Sequence, residues 1–197
     1  MREALRGLPA LVLASASPRR AELLRCAGLE FRVMPAEVRE AHHEQLTAGE
    51  LCQVNAYRKA RAVAKKFPDA LVLAADTLVC LETELFGKPA DLAEAQRMLE
   101  CLQGRTHSVI TGICLLHLRE HRQAVFTENT AVVFRRLEEA GIRQYFSRVN
   151  PLDKAGAYAI QEGGDLLVER IEGSYSNVVG LPMERLLAEL EQWGKAG

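Results

Sequence analysis

The sequence predicts an α/β fold with a mixed sheet, and three observations support this prediction. Short apolar runs alternate with segments in which apolar residues recur every three or four positions, the spacing of a helix face. Two long strand-like segments, 107–118 and 123–134, follow one another around a polar turn. Polar stretches separate the apolar segments along the whole chain, which allows one cleft to gather residues that are distant in sequence.

The first strand and the first helix are predicted within residues 11–27, LVLASASPRRAELLRCA. Residues 11–14 are apolar and are typical of a strand, and the apolar residues after the turn have helical spacing. Ser17 is a good N-cap, and Pro18 suits the first helical position because no backbone donor is needed there. The N-terminal amides of this helix are therefore expected to point at the turn.

The turn itself, within ASASPRR at 14–20, predicts a phosphate cradle. It carries the hydroxyls of Ser15 and Ser17 and the guanidinium groups of Arg19 and Arg20. Helix amides, the helix dipole and forked guanidinium groups all favour an anion with several oxygens. A capped helix with surface arginines is the structural alternative. A DNA minor-groove contact is disfavoured, because an apolar strand and an amphipathic helix flank the arginines.

A second strand is expected at residues 31–34, before a polar loop over 37–49. A long helix follows over about 48–66, with an apolar stripe that indicates a buried face. Its basic run, which is typical of a solvated face, comprises Arg58, Lys59 and Arg61.

Two polar residues, Asp76 and Thr77, interrupt the apolar segment 70–81, ALVLAADTLVCL. We expect Asp76 at the end of a buried strand. A buried carboxylate is costly unless it has a metal or a cation as partner, which favours a functional role over a cap or a turn. Asp76 can serve as a metal ligand or as the base for an attacking water, and both roles stay open. Gly87-Lys88-Pro89 is expected to form a tight turn that presents an ammonium group.

The rest of the chain continues the alternation of helices and strands. Asp91 and Glu94 resemble a capping box, and Gly104 is expected to end the helix that they begin. After the two long strands, the pattern predicts a helix over 137–148, a small and aromatic stretch over 152–161, a strand over 166–171, a polar loop over 173–182 and a closing helix over 183–193.

The composition is that of one globular domain, which we expect to comprise residues 1–197. The chain is 48% hydrophobic and 26% charged, and its net charge of −1 disfavours a broad polyanion-binding surface. No apolar run is long enough to span a membrane, and the first nine residues lack the apolar core of a signal peptide, so we expect a cytoplasmic protein. The five cysteines are widely spaced and indicate neither a disulfide framework nor a zinc site.

Six stretches, taken together and in order, resemble the Maf family of nucleoside triphosphate pyrophosphatases. They are ASASPRR at 14–20, AADT at 74–77, GKP at 87–89, the Thr111-Gly112 pair, DKAGAYAIQ at 153–161 and GSYSNVVGLP at 173–182. Each motif alone is unspecific, but the ordered set covers nearly the whole chain.

This resemblance implies a twisted mixed sheet in two lobes with a central cleft, similar to the inosine triphosphate pyrophosphatase fold. It implies hydrolysis of a nucleoside triphosphate to the monophosphate and pyrophosphate, with a divalent cation, usually Mg²⁺, in a protein that is commonly a homodimer. The GAYAIQ stretch resembles the branch that acts on dTTP and UTP rather than the branch that prefers 7-methyl-GTP. Modified pyrimidine nucleotides belong to the same expectation.

The resemblance also implies roles for particular residues. Asp76 matches the catalytic acid. The specificity positions match Arg19, Thr77 and Gln161, and the basic residues of the site match Arg20, Lys59 and Lys88. The phosphate cradle also includes Ser15 and Ser17. Many relatives carry two adjacent acids after the second strand, whereas this chain has Arg39-Glu40. The metal ligands implied are therefore Asp76 and Glu40.

Two other functions stay open at this point. A non-catalytic nucleotide-sensing protein that regulates cell division would need the cations but no acid at position 76. A nucleic-acid-binding module is disfavoured by the net charge and by an aromatic content of only 6%.

Overall fold

The computed structural model describes residues 7–39, 41 and 45–195 and has an α/β architecture with a mixed sheet, which confirms the predicted fold class. Within these residues the strands are β1 (Leu11–Leu13), β2 (Arg32–Val33), β3 (Leu71–Leu81), β4 (Glu84–Phe86), β5 (Thr106–His117), β6 (Arg122–Phe134) and β7 (Val168–Glu172). The helices are α1 (Pro18–Cys26), α2 (Ala48–Ala64), α3 (Leu92–Leu102), α4 (Glu139–Phe146), α5 (Gly164–Leu167), α6 (Tyr175–Val179) and α7 (Met183–Lys195), and residues Ala155–Ala157 form a 3₁₀ turn.

The strand order is β2-β1-β3-β5-β6-β7, with β4 paired to β3. β1 is parallel to both of its neighbours, with Val12 opposite Arg32 in β2 and Leu11 opposite Leu71 in β3. β4 is antiparallel to β3, and β7 is antiparallel to β6. The sheet contains both parallel and antiparallel pairs and is therefore mixed, as predicted.

The chain divides into two compact units. The first unit comprises Met1–Asp76, Thr111–Glu128 and Gly180–Gly197, and the second comprises Thr77–Ile110 and Asn129–Val179. The division falls within β3, β5 and β6. That the two units form one two-lobed domain stays a prediction.

The core of the first unit has two parts because alternate side chains of a strand point to opposite faces. Leu71 and Leu73 of β3 are fully buried in one cluster, which includes residues of α1 and α7. Val72 and Ala74 belong to the other cluster, which is dominated by small residues of α2. β3 is therefore covered on both faces, which accounts for its almost continuous apolar sequence.

The second unit has its own core, centred on the aromatic residues Phe134, Tyr145 and Tyr158. His107 of β5 is buried beside them, and its Nε2 lies 2.7 Å from the Tyr158 hydroxyl oxygen. Burial lowers the pKa of His107 to about 4, because the charged imidazolium is disfavoured away from water. This histidine therefore belongs to the core as a neutral side chain at neutral pH.

One predicted strand differs at its start, and one predicted loop was wrong in type. The segment predicted as a strand from residue 166 begins instead as α5, and β7 starts only at Val168. The segment predicted as a polar loop contains α6, because the Ser174 hydroxyl accepts a hydrogen bond from the Asn177 N–H at 3.2 Å. A serine in that position caps a first helical turn.

Other boundaries also differ from the prediction. The helix predicted over 137–148 is confined to α4, Glu139–Phe146. Residues 87–89 are irregular rather than a tight turn, and the turn that precedes β4 lies at 82–83, where Glu82 has a φ of 55°. α1, α2, α3, α7 and the two long strands lie within a few residues of their predicted bounds.

Helix α2 packs directly against β5 at Gly112, in the first unit. A Cβ atom at residue 112 would lie 2.3 Å from the backbone carbon of Cys52 and 2.6 Å from the backbone nitrogen of Gln53. These are backbone atoms of the helix, so a side chain at residue 112 displaces the helix rather than another side chain. Ala56 and Ala60 of α2 are fully buried on the same side. Gly112, the second residue of the Thr111-Gly112 pair, thus sets how closely α2 approaches the sheet.

We predict that Gly112→Ala destabilises the protein by about 1–3 kcal/mol, because overpacking at this contact displaces α2. Gly49→Ala is the matched control. A Cβ atom at residue 49, in the first turn of α2, meets the Thr127 methyl carbon at 3.7 Å and the Thr127 hydroxyl oxygen at 4.0 Å, which are ordinary contacts, so this alanine should not destabilise the protein. Urea unfolding of both variants measures the difference. Equal midpoints for the two variants would contradict the close approach.

Candidate functional site

The structure places Asp76 in the middle of β3, so the prediction that it ends the strand was wrong. β3 has eleven residues, and five of them follow Asp76. The carboxylate is nonetheless buried, with 6% of the residue exposed. A polar side chain does not interrupt a strand when its backbone pairs as usual and the side chain finds its own partners.

The principal partner of Asp76 is Lys59 of α2. Its Nζ lies 2.6 Å from Oδ1 of Asp76, and the lysine side chain is only 14% exposed. The basic run of α2 therefore divides: Arg58 and Arg61 are exposed, as predicted for a solvated face, whereas Lys59 is directed at the acid. A buried carboxylate with an ammonium partner is the arrangement that its burial requires.

The second partner of Asp76 is Asn55, which the sequence analysis missed. Asn55 Nδ2 donates a hydrogen bond to Oδ2 of Asp76 at 3.1 Å. Asn55 lies one helical turn before Lys59, so both side chains project from the same face of α2. The signal in the sequence was a polar residue on the apolar face of a helix, between Cys52 and Ala56.

Helix α2 begins at a capping box that fixes its first turn. Thr47 Oγ1 accepts a hydrogen bond from the Glu50 N–H at 3.3 Å, and Glu50 Oε2 accepts one from the Thr47 N–H at 2.8 Å. This local pattern defines where the helix starts. The start of the helix, together with the close contact at Gly112, places Asn55 and Lys59 over Asp76.

The arginine turn lies in the same unit, and Arg20 binds acceptors of the protein itself. Its Nε donates to the Gly180 carbonyl oxygen at 2.8 Å, and its Nη1 donates to the Ala75 carbonyl oxygen at 2.9 Å. Nη1 also lies 3.1 Å from the hydroxyl oxygen of Ser15, which is buried. Arg20 thus fixes the backbone immediately before Asp76.

Ser17 and Arg19 lie where the sequence predicted them. Ser17 is the N-cap residue of α1 and Pro18 follows it as the first helical residue, but the Ser17 side chain makes no capping hydrogen bond. The Ser17 N–H instead donates to the Ser15 hydroxyl at 3.2 Å. Arg19 is half-buried at the start of α1.

The predicted site residues of the second unit are Thr77, Lys88 and Gln161. Thr77 directly follows Asp76 and is half-buried, whereas Lys88 and Gln161 are exposed. Near Lys88, the carbonyl oxygen of Gly87 accepts a hydrogen bond from the Gly156 N–H at 3.0 Å. The DKAGAYAIQ stretch therefore contacts the GKP stretch within this unit.

A buried lysine, Lys154, contacts the residue that follows Gln161. Lys154 is only 3% exposed, and its Nζ lies 2.8 Å from a carboxylate oxygen of Asp153 and 3.5 Å from one of Glu162. Nζ also donates to the Asn150 carbonyl oxygen at 2.8 Å. Glu162 directly follows Gln161, so this ion pair lies next to the predicted specificity position in the sequence.

The model of the Maf-like protein family matches residues 10–193. The chain belongs to this family. The resemblance that the motifs indicated is thereby confirmed over nearly the whole sequence.

Two relatives within the Maf family are named dTTP/UTP pyrophosphatase. The protein of Moorella thermoacetica is 48% identical over 190 residues, covering 94% of this chain and 98% of that one. The protein of Pelotomaculum thermopropionicum is 46% identical over 184 residues, covering 93% of this chain and 96% of that one. Among solved structures, the Ham1 protein of Staphylococcus aureus matches with a TM-score of 0.52 and 17% identity, covering 93% of this chain and 98% of that one. The likeness to Ham1 concerns the fold alone.

The Maf motifs in this chain supply side chains to both units. ASASPRR and the acid of AADT contribute Ser15, Arg20 and Asp76 to the first unit, and GKP and DKAGAYAIQ lie in the second. Glu40, the other predicted metal ligand, lies outside the described residues. Among the residues that are described, no group of three or more His, Cys, Asp or Glu side chains is arranged to hold a metal ion.

The cysteines form no disulfide in the described residues, as their spacing predicted. All five cysteines are free thiols, and Cys52 and Cys114 are buried. Burial raises the pKa of the Cys114 thiol to about 12.

In the described part of the chain, no helix has both the length and the apolar character to cross a membrane.

Proposed function

We propose that the chain is a nucleoside triphosphate pyrophosphatase that hydrolyses dTTP and UTP, and modified pyrimidine nucleotides, to the monophosphate and pyrophosphate. The observation that carries the proposal is the buried carboxylate of Asp76 with its ammonium partner 2.6 Å away. Relatives that are 43–48% identical over most of the chain and are named dTTP/UTP pyrophosphatase support the same reaction.

Asp76 acts on the water that attacks the α-phosphorus. A carboxylate at this position accepts the proton of the water or holds a metal ion that activates it, and both roles need the same oxygen atoms. Lys59 and Asn55 fix those oxygens in place, so that the carboxylate does not have to be ordered when the substrate binds. Fixed charges in a site shielded from water are also more effective than the same charges in bulk solvent.

The basic residues stabilise the negative charge that develops on the leaving pyrophosphate. We assign this role to Arg19, Lys59 and Lys88, which are the cations that the family resemblance implies. Arg20 contributes its positive charge and also holds the Ala75 carbonyl, which is one residue before the reacting carboxylate. Phosphoryl chemistry of this kind depends more on positioned cations than on covalent catalysis.

A divalent cation, Mg²⁺ in our proposal, fits the donor atoms that are described. Mg²⁺ is typically bound by one or two carboxylates together with substrate phosphates and water. The two oxygens of Asp76 offer about four acceptor sites. Lys59 and Asn55 supply one donor to each oxygen, which leaves the carboxylate able to take a metal as well. When bound, the cation supplies Lewis-acid stabilisation of the phosphate charge. Glu40 remains the second ligand that the sequence predicts.

Gln161 is proposed to recognise the pyrimidine. Its amide offers one donor group and one acceptor, which matches the ring edge of uracil or thymine. Glu162, the residue that follows Gln161, pairs with the buried Lys154. Thr77 and the hydroxyls of Ser15 and Ser17 complete the proposed nucleotide contacts. A homodimer and a cytoplasmic location stay predictions from the sequence.

We predict that the wild-type protein releases pyrophosphate from dTTP in the presence of Mg²⁺ and that Asp76→Asn slows the release by about 10²–10⁴-fold, the usual contribution of a general base. Asp69→Asn is the matched control, since Asp69 is an exposed acid of the same unit that pairs with Arg119 on the surface. Its turnover should equal that of the wild type.

Two outcomes would oppose this proposal. Near-normal release by Asp76→Asn would remove Asp76 from the reaction. A wild-type protein that binds dTTP without releasing pyrophosphate would favour the nucleotide-sensing alternative, which the buried carboxylate disfavours because a sensor needs only the cations.

We predict that Gln161→Ala flattens the preference for dTTP and UTP over GTP. The lost amide contacts correspond to about 1–3 kcal/mol, or roughly 5- to 150-fold in the ratio of kcat/KM values. Gln123→Ala, which removes an exposed glutamine from β6, is the control and should leave the ratio unchanged. If the ranking of the three nucleotides persists in Gln161→Ala, the base is recognised by another residue.

A further inference from the structure

We propose that Asn55 is a positioning residue, which fixes the orientation of the Asp76 carboxylate by joining it to the backbone at Ala41. This inference rests on the proposed function, because it assigns Asn55 a part in the reaction at Asp76. Asn55 lies outside the six stretches that indicate the family, and its side chain is 3% exposed.

The Asn55 amide is held at both of its ends. Its Oδ1 accepts a hydrogen bond from the Ala41 N–H at 2.7 Å, and its Nδ2 donates to Oδ2 of Asp76 at 3.1 Å. Nδ2 also lies 3.4 Å from the Ala41 carbonyl oxygen. Ala41 is itself buried. The side chain therefore bridges a backbone amide of the loop before α2 and a carboxylate of β3.

The chemistry of the two partners allows only one orientation of the amide. A backbone N–H can only donate, so it must face the oxygen of Asn55. An ionised carboxylate can only accept, so it must face the NH₂ group. Rotating the amide by 180° would set donor against donor and acceptor against acceptor. The Ala41 N–H thus determines that Asn55 presents a donor to Asp76.

Lys59 alone does not define the plane of the carboxylate. Its ammonium group lies 2.6 Å from Oδ1, at the end of a long and rotatable side chain. Asn55 contacts the other oxygen from a short, buried side chain, and two contacts on different oxygens fix the rotation of the carboxylate about its Cβ–Cγ bond. Displacements of about 1 Å at a reacting group can cost roughly 100-fold in rate.

Asparagine is required here for its donor and not only for its shape. Aspartate has the same shape and still offers an oxygen to the Ala41 N–H. It would, however, place a second carboxylate at the position from which Nδ2 contacts Asp76, and like charges at that separation repel each other. The two substitutions Asn55→Asp and Asn55→Leu therefore separate the two halves of the bridge.

The experiment measures kcat and KM for dTTP with Mg²⁺, and the hydrogen exchange of the Ala41 amide, in Asn55→Asp and Asn55→Leu. Both variants should lower kcat about 10- to 100-fold, as substitutions of residues that orient reacting groups do, with KM changed less than about threefold. The Ala41 amide should exchange faster in Asn55→Leu and stay protected in Asn55→Asp. Should the leucine variant be too unstable to assay, the aspartate variant decides.

Arg58→Ala is the control, because Arg58 is an exposed residue of the same helix, and its kinetics should match the wild type. A wild-type kcat in Asn55→Asp would overturn the inference, even if the Ala41 amide exchanges as expected. Asn55 would then hold only the backbone at Ala41 and would not orient Asp76. A rise in KM at constant kcat would overturn it too. A wild-type protein without pyrophosphatase activity would refute the proposed function, and this inference with it.

Discussion

The buried ion pair between Lys59 and Asp76 is the interaction on which the rest of the site depends. Asp76 lies within an eleven-residue strand that is otherwise almost wholly apolar, and removing a carboxylate from water at such a place costs several kcal/mol. An ammonium group at 2.6 Å and an amide at 3.1 Å offset that cost. Both partners come from α2, so the position of this helix against the sheet decides whether the carboxylate is paired.

The packing of the first unit is arranged to keep α2 close to the sheet. Gly112 leaves no room for a side chain between β5 and the backbone of α2 at Cys52, and fully buried alanines such as Ala56 and Ala60 allow the same close approach. Arg20 binds the carbonyl oxygen of Ala75, the residue before the acid. Gly112 therefore determines how closely α2 approaches the sheet, and Arg20 holds the backbone next to Asp76.

The parts of the fold that follow from local patterns were predictable from the sequence. Apolar periodicity placed α1, α2, α7 and the two long strands, and Asp91 and Gly104 marked the ends of α3. The elements that were missed are short, and contacts that periodicity does not record decide them. The capping hydroxyl of Ser174 turns the expected loop into α6, for example.

For the candidate site, the sequence predicted that Asp76 needs a partner but did not predict the geometry around it. Asp76 was recognised because an acid in an apolar strand needs a partner. Its place within the strand was not predicted, since the backbone hydrogen bonds of a strand do not depend on the side chain. Lys59 was typical of a solvated face by sequence and was assigned to the site by the family resemblance. Asn55 was missed because its role depends on Ala41 and Asp76, which only the fold brings together.

In the proposed function, the Lys59–Asp76 pair serves the reaction and not the stability of the fold. The direct measurement is urea unfolding of the double variant Lys59→Met/Asp76→Leu beside the two single variants, with pyrophosphate release from dTTP recorded for each. Replacing both charges by apolar side chains should leave stability within about 1 kcal/mol of the wild type or raise it, whereas each single variant loses about 3–5 kcal/mol, and none should release pyrophosphate at the wild-type rate. A double variant that is as unstable as the single variants, or one that retains wild-type turnover, would contradict the account.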